Sequence, residues 1–282
     1  MSSGYYRPNT LDEAFSIAAE NPGARYIAGG TDLLVQMRNG QPSPPTLISL
    51  RGLPELNGIE PSSRVRIGAG VPLSDVQVHP VVTESFPALV SSIASLGSPQ
   101  IRNVATIGGN LANASPAADT APALLVYGAY VELRDAEGTR EVALKDFFLG
   151  PGQTLLRPDE ILTAILIDPP AEGSRSVYFR KGRVTMDLAI VSVAALGQRS
   201  GATHTSIRLA AGSVAPVPLR LIRSEEVVEE TELGNGARTH AMETAHDEVS
   251  PITDQRATAD YRRHLTSVLV GRALETLAGE AV

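Results

Sequence analysis

Along the first fifty residues the apolar positions change period twice. Leu11, Ala14, Ile17 and Ala18 recur at helical spacing behind Asn9-Thr10, and Asn21-Pro22-Gly23 closes the run. This predicts a helix capped by Thr10, with Glu13 reaching back to the cap amide. Residues 24–28, ARYIA, read as a short buried strand running into Gly29-Gly30. Thr31 or Asp32 then suits the cap of a helix through about residue 38, where Leu33, Leu34 and Met37 keep helical spacing. After the proline-rich loop 41–45, residues 46–50 read as another strand. Strand, helix and strand in about thirty residues predict a βαβ unit with parallel pairing.

Further on, residues 64–69 alternate charged and apolar side chains, as a half-buried strand does. Residues 80–96 predict a helix interrupted at Pro87. Residues 97–121 carry few bulky side chains and read as a long loop before an apolar helix. Residues 130–134 and 139–142 flank Asp135-Ala136-Glu137-Gly138, a hairpin signal. A strand at 160–168 ends at Pro169-Pro170, and 171–175 marks a domain boundary. Beyond it come strands at 176–180, 190–199 and 205–211, then helices at 219–230, 238–248 and 260–278. The last helix carries Leu265, Val268, Leu269, Ala273 and Leu277 on one face. The class is α+β. Residues 1–170 lie before that boundary and open on the βαβ unit. Residues 171–282 form a three-stranded antiparallel sheet with a helical layer.

Composition narrows the function. With 282 residues and 43% hydrophobic side chains the chain can bury a core and is not disordered. A net charge of −7 disfavours general nucleic-acid or anionic-membrane binding. The absence of cysteine excludes disulfides, a thiol nucleophile and thiolate-held zinc or iron–sulfur clusters on this chain. It also suits a reducing compartment. No basic-then-apolar leader opens the chain and no apolar run is long enough to span a bilayer. The expectation is a cytoplasmic protein that is not integral to a membrane and does not bind nucleic acid.

Two glycine pairs carry the candidate chemistry. Gly29-Gly30 lies between a strand and a helix start, where main-chain amides can meet a phosphate. The same pair is also what an ordinary strand-to-helix turn needs. Asp32 would repel an anion, so it should point elsewhere, into its own cap. The second pair lies in Thr106-Ile107-Gly108-Gly109-Asn110, which offers a hydroxyl, closely spaced amides and a carboxamide, with Asn113, Ser115 and Asp119 following. A long small-residue loop in a compact domain points to a ligand, and Asp119 could accept from a ribose hydroxyl. No GxxxxGK[ST] is present, and Gly68-Ala69-Gly70-Val71-Pro72-Leu73 fails as a dinucleotide fingerprint. The five histidines show no metal pairing, and Ser98 and Ser115 lack a nucleophile-elbow context. No catalytic residue and no metal ligand is assigned. Residues 179–183, FRKGR, form a basic cluster that reads either as a cofactor contact or as a solvated turn.

Together, AGGTDLL (28–34), TIGGNLANASPAAD (106–119), DEIL (159–162), FRKGRVTMDLAIVSVA (179–194) and AAGSVAPVPLR (210–220) resemble the FAD-binding medium subunit of molybdenum hydroxylases over nearly the whole chain. The resemblance implies that 1–170 is an FAD-binding domain in two parts, a small βαβ subdomain (1–55) and a larger mixed α+β subdomain (56–170). Ile27, Ala28, Gly29, Gly30, Thr31, Asp32 and Leu33, with Thr106, Gly108, Gly109 and Asn110, would then lie near the pyrophosphate. Asn113 and Asp119 would contact the cofactor, Asp119 at the adenosine ribose. Leu96 and Gly97 would cover the adenine. Ile161, Leu162 and Lys181 would lie near the flavin. It also implies partners: a small subunit with [2Fe–2S] clusters and a large molybdopterin subunit, assembled as a dimer of heterotrimers. Electrons would enter FAD from the clusters and leave to an external acceptor. The lack of cysteine sets the chain apart from the 4-hydroxybenzoyl-CoA reductase variant, whose medium subunit carries a further cluster. A stand-alone flavin oxidoreductase and a non-redox nucleotide-binding module are the alternatives.

Overall fold

Thr10 starts the first helix as its sequence dictates. Its Oγ1 accepts from the Glu13 amide at 3.1 Å, and the Glu13 carboxylate accepts from the amide of Asn9, one residue before the cap, at 2.7 Å. The computed structural model describes residues 4–201 and 203–279. It begins with β1 (Gly4–Tyr6), α1 (Leu11–Glu20), β2 (Arg25–Ile27), α2 (Leu33–Arg38) and β3 (Thr46–Ser49). The βαβ pairing is parallel, and β1 adds a third parallel strand on the far side of β3, giving the order β1-β3-β2. At three residues, β1 is too short to register a period of two in the sequence.

The larger subdomain runs β4 (Ile59–Glu60), β5 (Val65–Gly68), α3 (Leu73–Val78), α4 (Pro80–Ser85), α5 (Pro87–Ala94), α6 (Pro99–Arg102), α7 (Ile107–Ala112) and α8 (Thr120–Val126). It continues with β6 (Tyr130–Arg134), β7 (Thr139–Ala143), α9 (Leu144–Phe147), β8 (Phe148–Gly150), β9 (Gln153–Thr154) and β10 (Ile161–Ile167). Five of these strands form an antiparallel sheet in the order β4-β5-β10-β6-β7. Pro87 separates α4 from α5, because it supplies no amide and fits the first turn of a new helix. The Asp135–Gly138 turn closes the β6–β7 hairpin, with the Asp135 carboxylate accepting from the amides of Glu137 and Gly138, both at 2.8 Å. The stretch 97–121 is not a structureless loop. It breaks into α6, α7 and the start of α8, each only four to seven residues long. Helices this short leave too little periodic pattern to read.

The C-terminal sheet has four strands rather than three. To β11 (Ser174–Lys181), β12 (Val191–Ser200) and β13 (Thr203–Gly212) the chain adds β14 (Leu219–Arg220), antiparallel to β13. The helix predicted from 219 starts later, as α10 (Ile222–Val228). Pro216 and Pro218 bias the chain to extended backbone, and residues 219–220 stay extended as they enter the sheet edge. Next follow α11 (Asn235–Glu248) and α12 (Ala259–Ala278). Thr258 caps α12 through the Tyr261 amide, and Gly279, at φ +90°, ends it.

This sheet is covered on both sides. Tyr178, Ala194, Leu196 and Ala210 join the core of the larger subdomain, while Val191, Val193, Ala195, Leu209 and Ala211 pack with α10–α12. Hence β12 begins as a continuous buried run, not an alternating one. A third, smaller core holds the βαβ subdomain: Leu11, Ala14, Phe15, Ile48, Leu53, Leu56 and Ile161.

Candidate cofactor site

The two loops touch at Gly29, which has no side chain where it meets the backbone of Val104 and Ala105. A Cβ on Gly29 would lie 1.9 Å from the carbonyl oxygen of Val104 and 3.0 Å from Cα of Ala105. Only glycine admits that approach. Between the loops runs a cleft of about 330 Å³. Ile27, Ala28, Gly29, Gly30, Thr31, Asp32 and Leu33 line one wall, and Thr106, Gly109, Asn110, Asn113 and Asp119 line the other. Leu96 and Gly97 close one side. The Arg102 guanidinium donates to the Leu96 carbonyl at 3.0 Å and pins that corner.

The first wall is an array of idle donors. Among the described residues, the amides of Gly29, Gly30, Thr31, Asp32 and Leu33 donate to no protein acceptor. Their carbonyls are partly used, with Leu34 donating to Gly30 and Gln36 to Asp32. Successive free amides with Gly30 at φ +72° form a concave anion site. Asp32 does not cap itself: it sits at the helix start with no side-chain hydrogen bond to a helix amide. Although the residue is exposed overall, partial desolvation by the cleft raises its carboxyl above the ordinary carboxylate value. Tyr26 also lines the cleft. Its hydroxyl is buried without a partner among the described residues, and burial with the nearby Asp159 charge pushes it up to about 12.

The second wall works differently from the sequence reading. Its amides are spent inside the protein. Ile107 donates to Val71 at 3.3 Å, Gly108 to Ala69 at 3.0 Å and Asn110 to Thr106 at 3.0 Å. Thr106 Oγ1 takes the Gly109 amide at 3.0 Å and so caps α7. What remains to face the cleft is side-chain chemistry. Asn110 accepts the Thr120 hydroxyl at 2.6 Å through Oδ1, and Asn113 accepts from Gln36 Nε2 at 3.2 Å, which fixes both carboxamides. Replacing Thr106 by valine should cost about 1 kcal/mol through the lost cap and lower the denaturation midpoint. An unchanged midpoint in urea would rule out the cap's contribution.

Asp119 is more enclosed than a ribose ligand needs to be. Its Oδ1 accepts from Tyr178 Oη at 2.8 Å and from Arg180 Nε at 2.9 Å. The Asp119 and Arg180 side chains are only 5% and 9% exposed, so the pair is buried where the two domains join. Burial pushes the Asp119 carboxyl up, while Arg180 and the Tyr178 hydroxyl pull it back. The other guanidinium nitrogens of Arg180 hold the carbonyls of Thr185 and Asp187. Arg180 therefore anchors the segment that carries Met186, Asp187 and Leu188 to the cleft rim. From the basic cluster the cleft receives Arg180, whereas Lys181 is exposed and does not line it. Alternation along β11 explains this, since neighbouring side chains point to opposite faces.

Three more predicted positions lie off the cleft. Gly108 faces Ala69, just beyond β5, where a Cβ would come 2.5 Å from Cβ of Ala69. Its role in the structure is tight packing. Ile161 belongs to the core of the βαβ subdomain and Leu162 to that of the larger one. The sequence reading missed Arg25, Tyr26, Gln36 and Ile101 as lining residues. Only the adjacency of Arg25 and Tyr26 to the glycine pair could have suggested any of them.

Residues 1–170 match the family model described as the FAD binding domain in molybdopterin dehydrogenase. Residues 177–277 match the CO dehydrogenase flavoprotein C-terminal domain. The chain belongs to this family. Two of its relatives align over nearly their whole length. The xanthine dehydrogenase FAD-binding subunit of Escherichia coli O157:H7 is 31% identical over 99% of this chain and 97% of its own length. The carbon monoxide dehydrogenase medium chain of Hydrogenophaga pseudoflava is 33% identical over 96% of this chain and 95% of its own. The structure of reconstituted CO dehydrogenase from Oligotropha carboxidovorans contains a chain that superposes with a TM-score of 0.95 at 31% identity, covering 100% of this chain and 99% of that one. The chain is thus an FAD-binding subunit of the molybdenum-containing dehydrogenases, with the α+β architecture of that family. Among the described residues no helix is long and apolar enough to cross a membrane.

Proposed function

We propose that this chain carries FAD in the cleft between its glycine loops and serves as the electron-transfer subunit of a cytoplasmic, multi-subunit molybdenum hydroxylase. The observation that carries the proposal is the run of five unused amides at 29–33 in a family of FAD-binding subunits. These amides fit a pyrophosphate, which offers acceptors and negative charge to otherwise unsatisfied donors. When bound, FAD supplies reversible uptake and release of electrons. The protein's part is to hold and orient it. The amides of 29–33 grip the diphosphate. Asn110 and Asn113 present fixed carboxamides from the opposite wall, and Leu96–Gly97 offer an apolar edge for the adenine. Asp119 serves best as the anchor of Arg180 and the rim segment. Electrons would arrive from [2Fe–2S] clusters of a small partner subunit, with a large molybdopterin subunit oxidising the substrate, in a dimer of heterotrimers. The chain's relatives include a carbon monoxide dehydrogenase medium chain and a xanthine dehydrogenase FAD-binding subunit, which favours this reading over a stand-alone flavoenzyme.

The test is the purified chain's absorption spectrum after incubation with FAD, followed by gel filtration with its co-expressed partners. A retained flavin spectrum and a complex with an iron–sulfur chain and a molybdopterin chain are expected. Absence of flavin after reconstitution would overturn the cofactor assignment. Substrate turnover by the flavin-loaded chain alone would overturn the subunit assignment.

Asp32 adds a pH signature. Its carboxyl lies above its unfolded value because of that desolvation, so its favourable contribution is full in acid and is lost as pH rises through the folded value. A diphosphate on the neighbouring amides sharpens the effect through like-charge repulsion. FAD affinity is expected to weaken as pH rises from the ordinary carboxylate range through the raised folded value, and Asp32→Asn should flatten that profile and tighten binding at neutral pH. Titration of flavin fluorescence against pH reads both. Equal profiles in the two proteins would exclude Asp32 from the phosphate's surroundings.

A further inference from the structure

A second cavity, of about 480 Å³, lies away from the cofactor cleft, between the larger subdomain and the C-terminal sheet. Its walls come from the end of α8 and the start of β6, from α9, from the linker 168–174 and from β12–β14. The charges around it are uneven. Lys145, Arg208 and Arg220 line it against one carboxylate, Asp168. Arg220 is answered by Glu225, whose carboxylate it binds through Nε at 2.8 Å and through Nη2. The Asp168 side chain is 67% exposed and lies 3.8 Å from Arg64. The two cations left are Lys145, which has no hydrogen-bond or ion-pair partner among the described residues, and Arg208.

Arg208 is the more informative. It is half-buried and reaches from β13 across the domain boundary, where Nη1 donates to the Val126 carbonyl at the end of α8, at 3.2 Å. No carboxylate pairs with it among the described residues. Its guanidinium has five N–H donors, and the Val126 carbonyl takes one of them. Gly128, at φ +68°, makes room for it: a Cβ there would stand 2.8 Å from Arg208 Nη1. A half-enclosed guanidinium without a counter-ion is costly unless something answers it. In a chain of net charge −7, this recess collects two unanswered cations beside the side chains of Ser174, Gln198 and Ser206.

We propose that this interdomain cavity binds a small organic oxyanion, one whose carboxylate or phosphate oxygens meet Arg208 and Lys145 and whose body lies on Leu125, Ala129 and Leu196. The volume falls in the range of small-molecule sites and exceeds the need of a bare inorganic ion. A planar guanidinium with free donors suits a bidentate oxyanion, and the ammonium adds a second point of charge.

The full-length chain, loaded with FAD, is titrated with citrate and separately with orthophosphate, against sodium chloride at matched ionic strength. Thermal unfolding and calorimetry are the readouts. Saturable stabilisation by either anion, absent with chloride, is expected. Citrate alone acting marks a carboxylate ligand, and orthophosphate acting as strongly as citrate marks a phosphate group. Lys145→Gln and Arg208→Gln should each weaken binding about tenfold, the loss of one charge-assisted hydrogen bond, with Arg208→Lys retaining part of it. Lys145 is exposed and unpartnered, so its replacement leaves folding and flavin content intact. No saturable binding of either anion overturns the proposal, and so does binding that survives in Lys145→Gln and Arg208→Gln alike.

Discussion

Gly29→Ala is expected to strip the protein of FAD. The new Cβ would sit 1.9 Å from the backbone oxygen of Val104, closer than any rotamer change can relieve, because the backbone fixes the position of Cβ and the oxygen is itself main chain. The loops must separate. Overpacking at such a contact costs about 1–3 kcal/mol, sometimes more, and each 1.4 kcal/mol is tenfold in affinity. Separation would also tilt the five amides of 29–33 away from Thr106 and Asn110, so the loss should fall on cofactor binding more than on global stability. Gly236→Ala is the control. It lies in the first turn of α11, where an added Cβ meets nothing within 4 Å. Flavin content and the denaturation midpoint separate the two effects. A Gly29→Ala protein with wild-type FAD affinity would mean that the approach of the two loops does not shape the cleft.

Arg180→Met carries the second large effect. It leaves the buried Asp119 carboxylate with only the Tyr178 hydroxyl to answer it. Breaking a buried pair from one side costs about 3–5 kcal/mol, because an uncompensated charge stays behind. The rim segment would lose its anchor as well, since Arg180 also holds the carbonyls of Thr185 and Asp187. Removing both partners, as Asp119→Leu with Arg180→Met, should recover much of the stability and none of the rim order. The pH dependence has a definite sign. Without Arg180 the Asp119 carboxyl rises further above its unfolded value. The variant's stability is therefore best in acid and declines as pH climbs through the folded value. Urea unfolding of the four proteins of this cycle, at acid and neutral pH, measures the coupling. A single Arg180→Met variant within about 1 kcal/mol of wild type, the range of an exposed pair, would refute a buried pair.

Both predictions concern the same seam. Gly29 meets Val104 across the first domain's two parts, and Asp119 meets Arg180 across the boundary to the C-terminal sheet. The cleft thus depends on three pieces of chain holding their places. It has no single motif, which explains why Gly29-Gly30 taken singly reads equally well as an ordinary turn.

Much of this was written locally. The stripe behind Thr10, the break at Pro87, the Asp135–Gly138 hairpin and the long apolar face of α12 each follow from residues a few positions apart. Such signals survive in the sequence because helix period, proline geometry and turn chemistry act over one or two turns of chain. The sequence also determined the family, through segments spread from 28 to 220. It could not separate side chains that share a motif but face different ways. Gly108 packs on Ala69 while Gly109 lines the cleft, and Arg180 turns inward while Lys181 turns out. Nor could it show that the amides of the second loop are consumed while those of the first stay free. Strands β1 and β14 exist because a partner edge was there to pair with, at three and two residues respectively. Those outcomes rest on contacts between residues tens of positions apart, and only the folded chain brings their atoms within reach.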